Sequence, residues 1–426
     1  MQVLSNNIEQ QYKQTRAQSL AFCEPLNDED CSLQAADFVS PPKWHLAHTS
    51  WFFETFLLKP FADGYLTPDS RYEVLFNSYY NGVGEQFPRP NRGLLSRPTR
   101  SDVIAYRAHV DAAMNTLLSD RAHPEQATIA ARTTLGVEHE RQHQELFFTD
   151  IKYSLAVNPL LPTYIEGTPS SRIPNRPSEW HRYEGGLTEI GHLGSEFCFD
   201  NELPRHKVFI AAFELADRLV TNSEYQAFID DGGYQRPELW LSDGWTTANQ
   251  QGWQAPQYWL QHAGAAAEYT LHGVVPREFD APVCHVSGYE ADAFARWAGA
   301  RLPTEFEWEL AAVSFTSDAA TDSDTSSEVA YYHPRASNGR AGLRQLYGDC
   351  WQWTQSAYGA YPGFAPSSGA IGEYNGKFMS NQWVLRGSSC VTHRDQARAS
   401  YRNFFYPQDR WQFSGIRLAR NTSDNS

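Results

Sequence analysis

The sequence predicts an α+β protein in two parts, a four-helix bundle in the first third and a mixed domain of short strands and helices beyond it. Three observations predict this. Apolar residues recur every three or four positions through most of the stretch from Ile8 to Leu155. A proline-rich stretch from Asn158 to Glu184 then carries little periodicity and reads as a linker. After it come short apolar runs with many Gly and Trp. At 426 residues the chain is longer than one core usually fills. The expected boundaries are 1–157 for the bundle, 158–184 for the linker and 185–426 for the mixed domain.

In the bundle, one helix is expected from about Ile8 to Phe22. A second begins after Pro41-Pro42, carries Trp44, Leu46, His48, Trp51, Phe52 and Thr55, and stops near Lys59-Pro60. A third starts near Ser101 and includes Val103, Tyr106, Val110, Met114 and Leu117. A fourth opens after Pro124 and runs to about Leu155. The connection from Phe61 to Arg100 is rich in Pro, Gly, Asn and Tyr, and a loop that long is functional or disordered. In the second part, GGLTEIGH, KVFIAAFELA and WVLRGSS read as strands, while NSEYQAFIDDG and GYEADAFARWAGA read as short helices. Ser314 to Ala330 is a polar, low-complexity loop.

A hydrophobic content of 41% and an aromatic content of 14%, including 13 Trp, exclude a disordered chain. The net charge of -15, with no basic cluster, argues against nucleic acid and favours a small-molecule partner. Six scattered cysteines without a CxxC pair read as reduced thiols. The N-terminal MQVLSNNIEQQYKQ lacks an apolar signal region, and no apolar run reaches membrane-spanning length. The expectation is a cytoplasmic protein with no membrane partner. A homo-oligomer is allowed but not indicated.

The chemistry concentrates in HERQHQE, residues 139–145. His139 and His143 are four apart, so they share one helix face. Glu145 follows at a position open to a ligand or supporting role. His48, in WHLAHTSWFFETFLL, lies on a stripe with Trp44, Trp51, Phe52 and Thr55 and can supply a third imidazole. Three neutral imidazoles suit Zn, Fe, Ni or Cu, and the residues alone do not choose among them. A solvated histidine pair is the plain alternative. His45, three residues before His48, reads as a supporting or merely satisfied neighbour.

Three further groups are open between function and packing. Tyr79 and Tyr80, in FNSYYNGVGEQFPRPNRGLLSRP, are packing aromatics or phenols able to donate a proton near a redox metal. Arg89 and Arg92, in the same segment, are surface arginines or a carboxylate clamp. Asn403 can hydrogen-bond a carboxylate, and Phe404, Phe405 and Trp411 can wall a quaternary ammonium group or form a core cluster.

HxxxHxE with an upstream LAH resembles the DinB-like bundle of the ergothioneine-biosynthetic sulfoxide synthases, the EgtB family. LVTNSEYQAFIDDGGY, PVCHVSGYEADAFARWAGARLPTEFEWELAA, LYGDCWQWT and VLRGSSC through SGIRLAR resemble the formylglycine-generating, C-type-lectin-like fold. The likeness spans about Ala36 to Arg420, and the pairing of both halves is far more specific than either. It implies a non-haem iron(II) enzyme that uses O2 to join C2 of hercynine to the sulfur of cysteine or γ-glutamylcysteine as a sulfoxide. His48, His139 and His143 then match the iron ligands, and Gln142 a contact to the substrate imidazole. Arg89 and Arg92 match the holders of the thiol donor's carboxylate, and Asn403, Phe404 and Phe405 the hercynine-binding strip. In the actinobacterial branch the catalytic tyrosine comes from the second domain. Tyr79 and Tyr80 resemble the other branch, in which a first-domain pair replaces it and free cysteine is the donor. Formylglycine generators carry two closely spaced copper-binding cysteines, whereas Cys390 has no near neighbour in sequence.

Three rivals stay open. A selenoneine synthase acting on hercynine and a selenosugar would carry the same motif. A zinc-dependent DinB-type thiol transferase would need no oxygen. A non-catalytic binding module would be indifferent to His139→Ala.

Overall fold

The structure, a computed structural model, describes residues 2–167, 177–314, 332–337 and 342–422. The polar stretch from Ser314 to Ala330 therefore lies, after its first residue, outside the described residues, as does part of the linker. The chain forms two compact units. One is Met1–Tyr164 with Ser367–Tyr374, and the other is Ile165–Pro366 with Asn375–Ser426.

Four long helices build the first unit: α1, Gln2–Phe22; α2, Pro42–Phe53; α3, Arg100–Ser119; and α4, Gln126–Ala156. Pro41 is extended and Pro42 occupies the first turn of α2, where its missing N–H and fixed φ do no harm. Thr99 and Asp102 cap α3 reciprocally, the hydroxyl accepting from Asp102 N at 3.2 Å and the carboxylate from Thr99 N at 2.9 Å. Every residue of α2 is buried, as expected of a central helix with neighbours on all sides. It packs against α3 and α4, and α1 packs against α4. Beyond Phe53 the helix widens into a π turn, Glu54–Leu58. There the buried Glu54 carboxylate accepts from Tyr65 and Tyr106 hydroxyls at 2.7 and 2.5 Å.

A buried ionic knot ties the helices together. Glu140 of α4 accepts from Arg16 of α1 at 3.0 Å, from Ser19 at 2.6 Å and from Arg107 of α3. Burial pushes the Glu140 carboxyl up, but Arg107 and Arg16 outweigh it and hold the group at about 2. Removing one partner would strand a buried charge. The expected long connection holds a short helix, Tyr72–Phe76, and a 3₁₀ segment, Arg89–Leu94.

In the second unit, a four-stranded sheet has the order Asn403–Phe405, Trp383–Gly387, Trp351–Ala357, Ser414–Gly415. Only its last pairing is parallel. At Gly387 (φ +96°) a Cβ would meet Leu346 O at 2.4 Å, so the strand end requires glycine. The stretch KVFIAAFELA is two strands rather than the single one expected. His206–Ile210 pairs with Gly186–Ile190, whereas Phe213–Ala216 pairs with Trp180–Tyr183 and Ala419–Asn421. The two halves serve different sheets, so the chain must break at Ala211-Ala212. A core of Ile190, Ile210, Phe213, Leu215 and Trp308 lies beneath them. Helices Asn222–Asp230 and Gly288–Trp297 match the expected segments, each opened by a capping box. Helix Ser242–Gln251 was not anticipated, because SDGWTTANQQ is poor in strong helix formers. No helix among the described residues is long and apolar enough to cross a membrane.

Candidate metal centre

His48 projects from α2, and His139 and His143 from α4. Their ligand-capable atoms lie within 4.8 Å of one another. His48 and His139 face each other, Nε2 to Nε2, at 3.2 Å. Two nitrogens bound at right angles to one ion, each by a bond of about 2.1 Å, would stand roughly 3 Å apart. The donor set therefore fits a metal ion. His48 Nδ1 lies 2.6 Å from Phe76 O, so this nitrogen carries the proton and Nε2 keeps its lone pair. His143 Nδ1 lies 2.9 Å from His45 Nδ1. Its other nitrogen is the one open to a metal. His139 Nδ1 is buried without a hydrogen-bond partner, so no contact of that nitrogen sets the tautomer of this ring.

Burial holds all three imidazoles neutral. It pulls His48 and His143 well below the usual histidine range, helped by repulsion from neighbouring imidazoles and Arg92. It pulls His139 down to about 3 against the opposing charge of Glu140. The neutral ring is the form that binds metals. Glu145, two residues past His143, lies on another helix face and is not part of the cluster.

Trp44 stacks on His48 at 4.7 Å and 7°, and the Arg92 guanidinium lies 3.4 Å from the Trp44 ring centre. Arg92 is 3% exposed, donates to Ser40 Oγ at 2.9 Å and leaves Nε without a partner. Burial drives its affinity for the proton well down, and Arg89 adds repulsion. A buried guanidinium with an open Nε can pair with an anionic group. Arg89 departs from the expected pair. It is exposed and donates to the Phe38 carbonyl, which ties its guanidinium to backbone away from the buried Arg92.

Tyr80 is fully buried against Trp51, Phe56 and Tyr79, and the two phenol oxygens are 3.5 Å apart. Burial raises the Tyr80 phenol well above its ordinary value, with Tyr79 and Tyr374 adding to the effect. The sequence reading missed Tyr374. This buried residue sits with its ring 5.6 Å from that of His139, and its hydroxyl donates to Gln142 Oε1. Glu373 beside it accepts from Asn81 N at 3.0 Å and Gly82 N at 2.6 Å, pinning the loop just after Tyr79-Tyr80. Nothing in GEYNGKF marks it, since the segment reads as an ordinary glycine-flanked loop.

The strip in the second unit divides. Phe405 meets Trp411 edge-on at 5.8 Å, forming an aromatic corner. Phe404 turns to the other face of its strand and stacks on Tyr358 at 4.0 Å. The expected three-ring wall is therefore a two-ring corner. Asn403 Oδ1 accepts from Phe404 N at 2.9 Å.

Residues 11–147 match the DinB superfamily, and residues 169–422 match the sulfatase-modifying factor enzyme 1-like domain. A helical bundle carrying a cluster of three neutral imidazoles that could hold a metal ion, followed by this domain, is the architecture of a two-domain metalloenzyme. The hercynine oxygenase of Mycolicibacterium smegmatis is 32% identical over 432 residues, covering 95% of this chain and 96% of that protein. That of Mycobacterium tuberculosis is 32% identical over 95% of this chain and 96% of its own. Ergothioneine biosynthesis protein 1 of Schizosaccharomyces pombe is 23% identical over 53% of this chain and 28% of its own. The chain belongs to the EgtB family of ergothioneine-biosynthetic sulfoxide synthases.

Proposed function

We propose that this protein is a non-haem iron(II) enzyme that couples hercynine to a cysteinyl thiol and oxidises the joined sulfur with O2. The reaction balances as one C–H, one S–H and O2 giving a C–S bond bearing one oxygen, plus one water. The observation that carries the reading is the cluster of His48, His139 and His143, neutral and within ligand distance in a chain of this family. A ferrous ion held there would supply the activation of O2.

This chain's own residues provide binding, orientation and proton control. Arg92 pairs with the donor's carboxylate, as its burial and open Nε support. The Phe405–Trp411 corner has the chemistry to hold a trimethylammonium group, and Asn403 that to serve a carboxylate. Gln142 orients the substrate imidazole and is itself held by the Tyr374 hydroxyl. Tyr374, rather than the packed Tyr80, holds the proton to be moved, since it is the phenol tied to Gln142 and next to His139. Tyr79 is the second candidate. A tyrosine contributed by the later part of the chain resembles the actinobacterial arrangement. It favours γ-glutamylcysteine over the free cysteine that the Tyr79-Tyr80 pair suggests.

The test is an anaerobic assay of iron-loaded protein with hercynine and either cysteine or γ-glutamylcysteine, started by admitting O2 and read by mass. A sulfoxide-linked product requiring iron and O2 supports the reading. Equal turnover by zinc-loaded protein without O2 would replace it with the transferase reading.

A further inference from the structure

Behind the candidate metal centre, His143 continues into a buried chain of hydrogen bonds. His143 Nδ1 meets His45 Nδ1 at 2.9 Å, and His45 Nε2 meets Asp150 Oδ2 at 3.1 Å. Asp150 is in turn held in place, its Oδ2 accepting from Ser40 N at 2.8 Å. Ser40 Oγ accepts from Arg92, so the anion-binding guanidinium is anchored to the same node. His45 and Asp150 are 5% and 1% exposed, and both lie outside the three-histidine cluster.

With one proton on each imidazole, donor counting gives a single arrangement along this chain. A carboxylate only accepts, so Asp150 takes the proton of His45 Nε2–H. A neutral His45 then has only a lone pair at Nδ1, which accepts from His143 Nδ1–H. His143 is left with a bare Nε2 for the metal. We propose that Asp150 and His45 are positioning residues that hold His143 in the Nδ1–H tautomer and aim Nε2 at the metal. The proposal rests on the metal-centre reading above. It extends that reading from ligands to the groups that order them before a metal arrives. Supporting hydrogen bonds of this type orient ligand rings and raise their basicity. Without them His143 can rotate or carry its proton on the wrong nitrogen, and metal binding must then also reset the ring.

The test has two arms. Selective ¹⁵N-histidine NMR of the metal-free wild-type protein reads the tautomer directly, with His143 expected as Nδ1–H. Chelator competition with ferrous ion under anaerobic conditions then compares wild type with His45→Phe, Asp150→Ala and Asp150→Asn, after circular dichroism has checked folding. His45→Phe and Asp150→Ala should each weaken iron binding by roughly 10- to 100-fold. Asp150→Asn keeps an acceptor oxygen for His45 Nε2–H and should recover most of that loss. A wild-type His143 found as Nε2–H overturns the proposal, as do folded Ala and Phe variants that bind iron like wild type. If a variant fails to fold, the wild-type tautomer decides. Absence of sulfoxide product from iron-loaded wild type would sink the functional reading while leaving these affinity and tautomer results standing.

Discussion

The Tyr374 hydroxyl donates to the side-chain oxygen of Gln142, the residue immediately before His143. These partners are 232 positions apart in sequence, yet they share one compact unit. The contact couples the orientation of the Gln142 amide to a buried phenol beside the histidine cluster.

Tyr374→Phe removes that hydroxyl and keeps the ring. Iron binding should stay near wild type, because no ligand changes. Sulfoxide formation should fall by about 100-fold or more, the usual weight of a positioned proton donor. Quantifying sulfoxide per turnover in Tyr374→Phe beside Tyr79→Phe checks the assignment. A larger loss in Tyr79→Phe would transfer the role to Tyr79.

Arg92→Met should separate binding from stability. The native guanidinium is buried with little compensation, so an apolar replacement should leave Tm unchanged or higher. Loss of a charge-assisted pair with the donor carboxylate, worth about 1.5–3 kcal/mol, should raise the donor KM about 10- to 150-fold. Arg89→Met, at an exposed position, should raise it far less. Steady-state kinetics and calorimetry on both variants give the comparison.

Phe405→Leu and Phe404→Leu should behave differently despite adjacency. Phe405 shares a corner with Trp411, so its loss should raise the hercynine KM by several-fold up to about 30-fold, the range of a cation–π contact. Phe404 stacks on Tyr358 and should chiefly affect thermal stability. Equal KM effects would show that the corner does not hold the ammonium group.

Asp349, in the second unit, supplies a pH test. Burial raises its carboxyl to about 6, although Arg335, His333 and Arg417 oppose the shift. The folded state therefore keeps a proton that the unfolded state releases near 3.8. The stability this confers is present below that value and is lost as pH rises through about 6. Asp349→Asn keeps the oxygen that accepts from Arg335 N at 2.9 Å. It should raise stability on the order of 1 kcal/mol at pH 7.5 and do little at pH 4. Urea midpoints at the two pH values measure it.

Much of the first unit was legible locally. Proline-marked helix starts and apolar spacing located four helices, and α2 and α4 carry the histidines where the stripe and the four-residue interval put them. Strand alternation by itself separates Phe404 from its neighbour Phe405. The break inside KVFIAAFELA was not legible, because both halves are good strand sequence and only their different partners separate them.

What the sequence by itself determined is short-range geometry. An interval of four residues puts His139 and His143 on one helix face whatever else the chain does, since backbone hydrogen bonding sets that pitch. Tertiary structure decided everything that depends on long-range closure. It brought His48 to the pair, buried Arg92 while leaving Arg89 outside, joined His143 to His45 and Asp150, and delivered Tyr374 to Gln142. Those contacts follow from burying apolar surface across the whole unit, and no local pattern around a phenol or a guanidinium records which distant backbone will meet it.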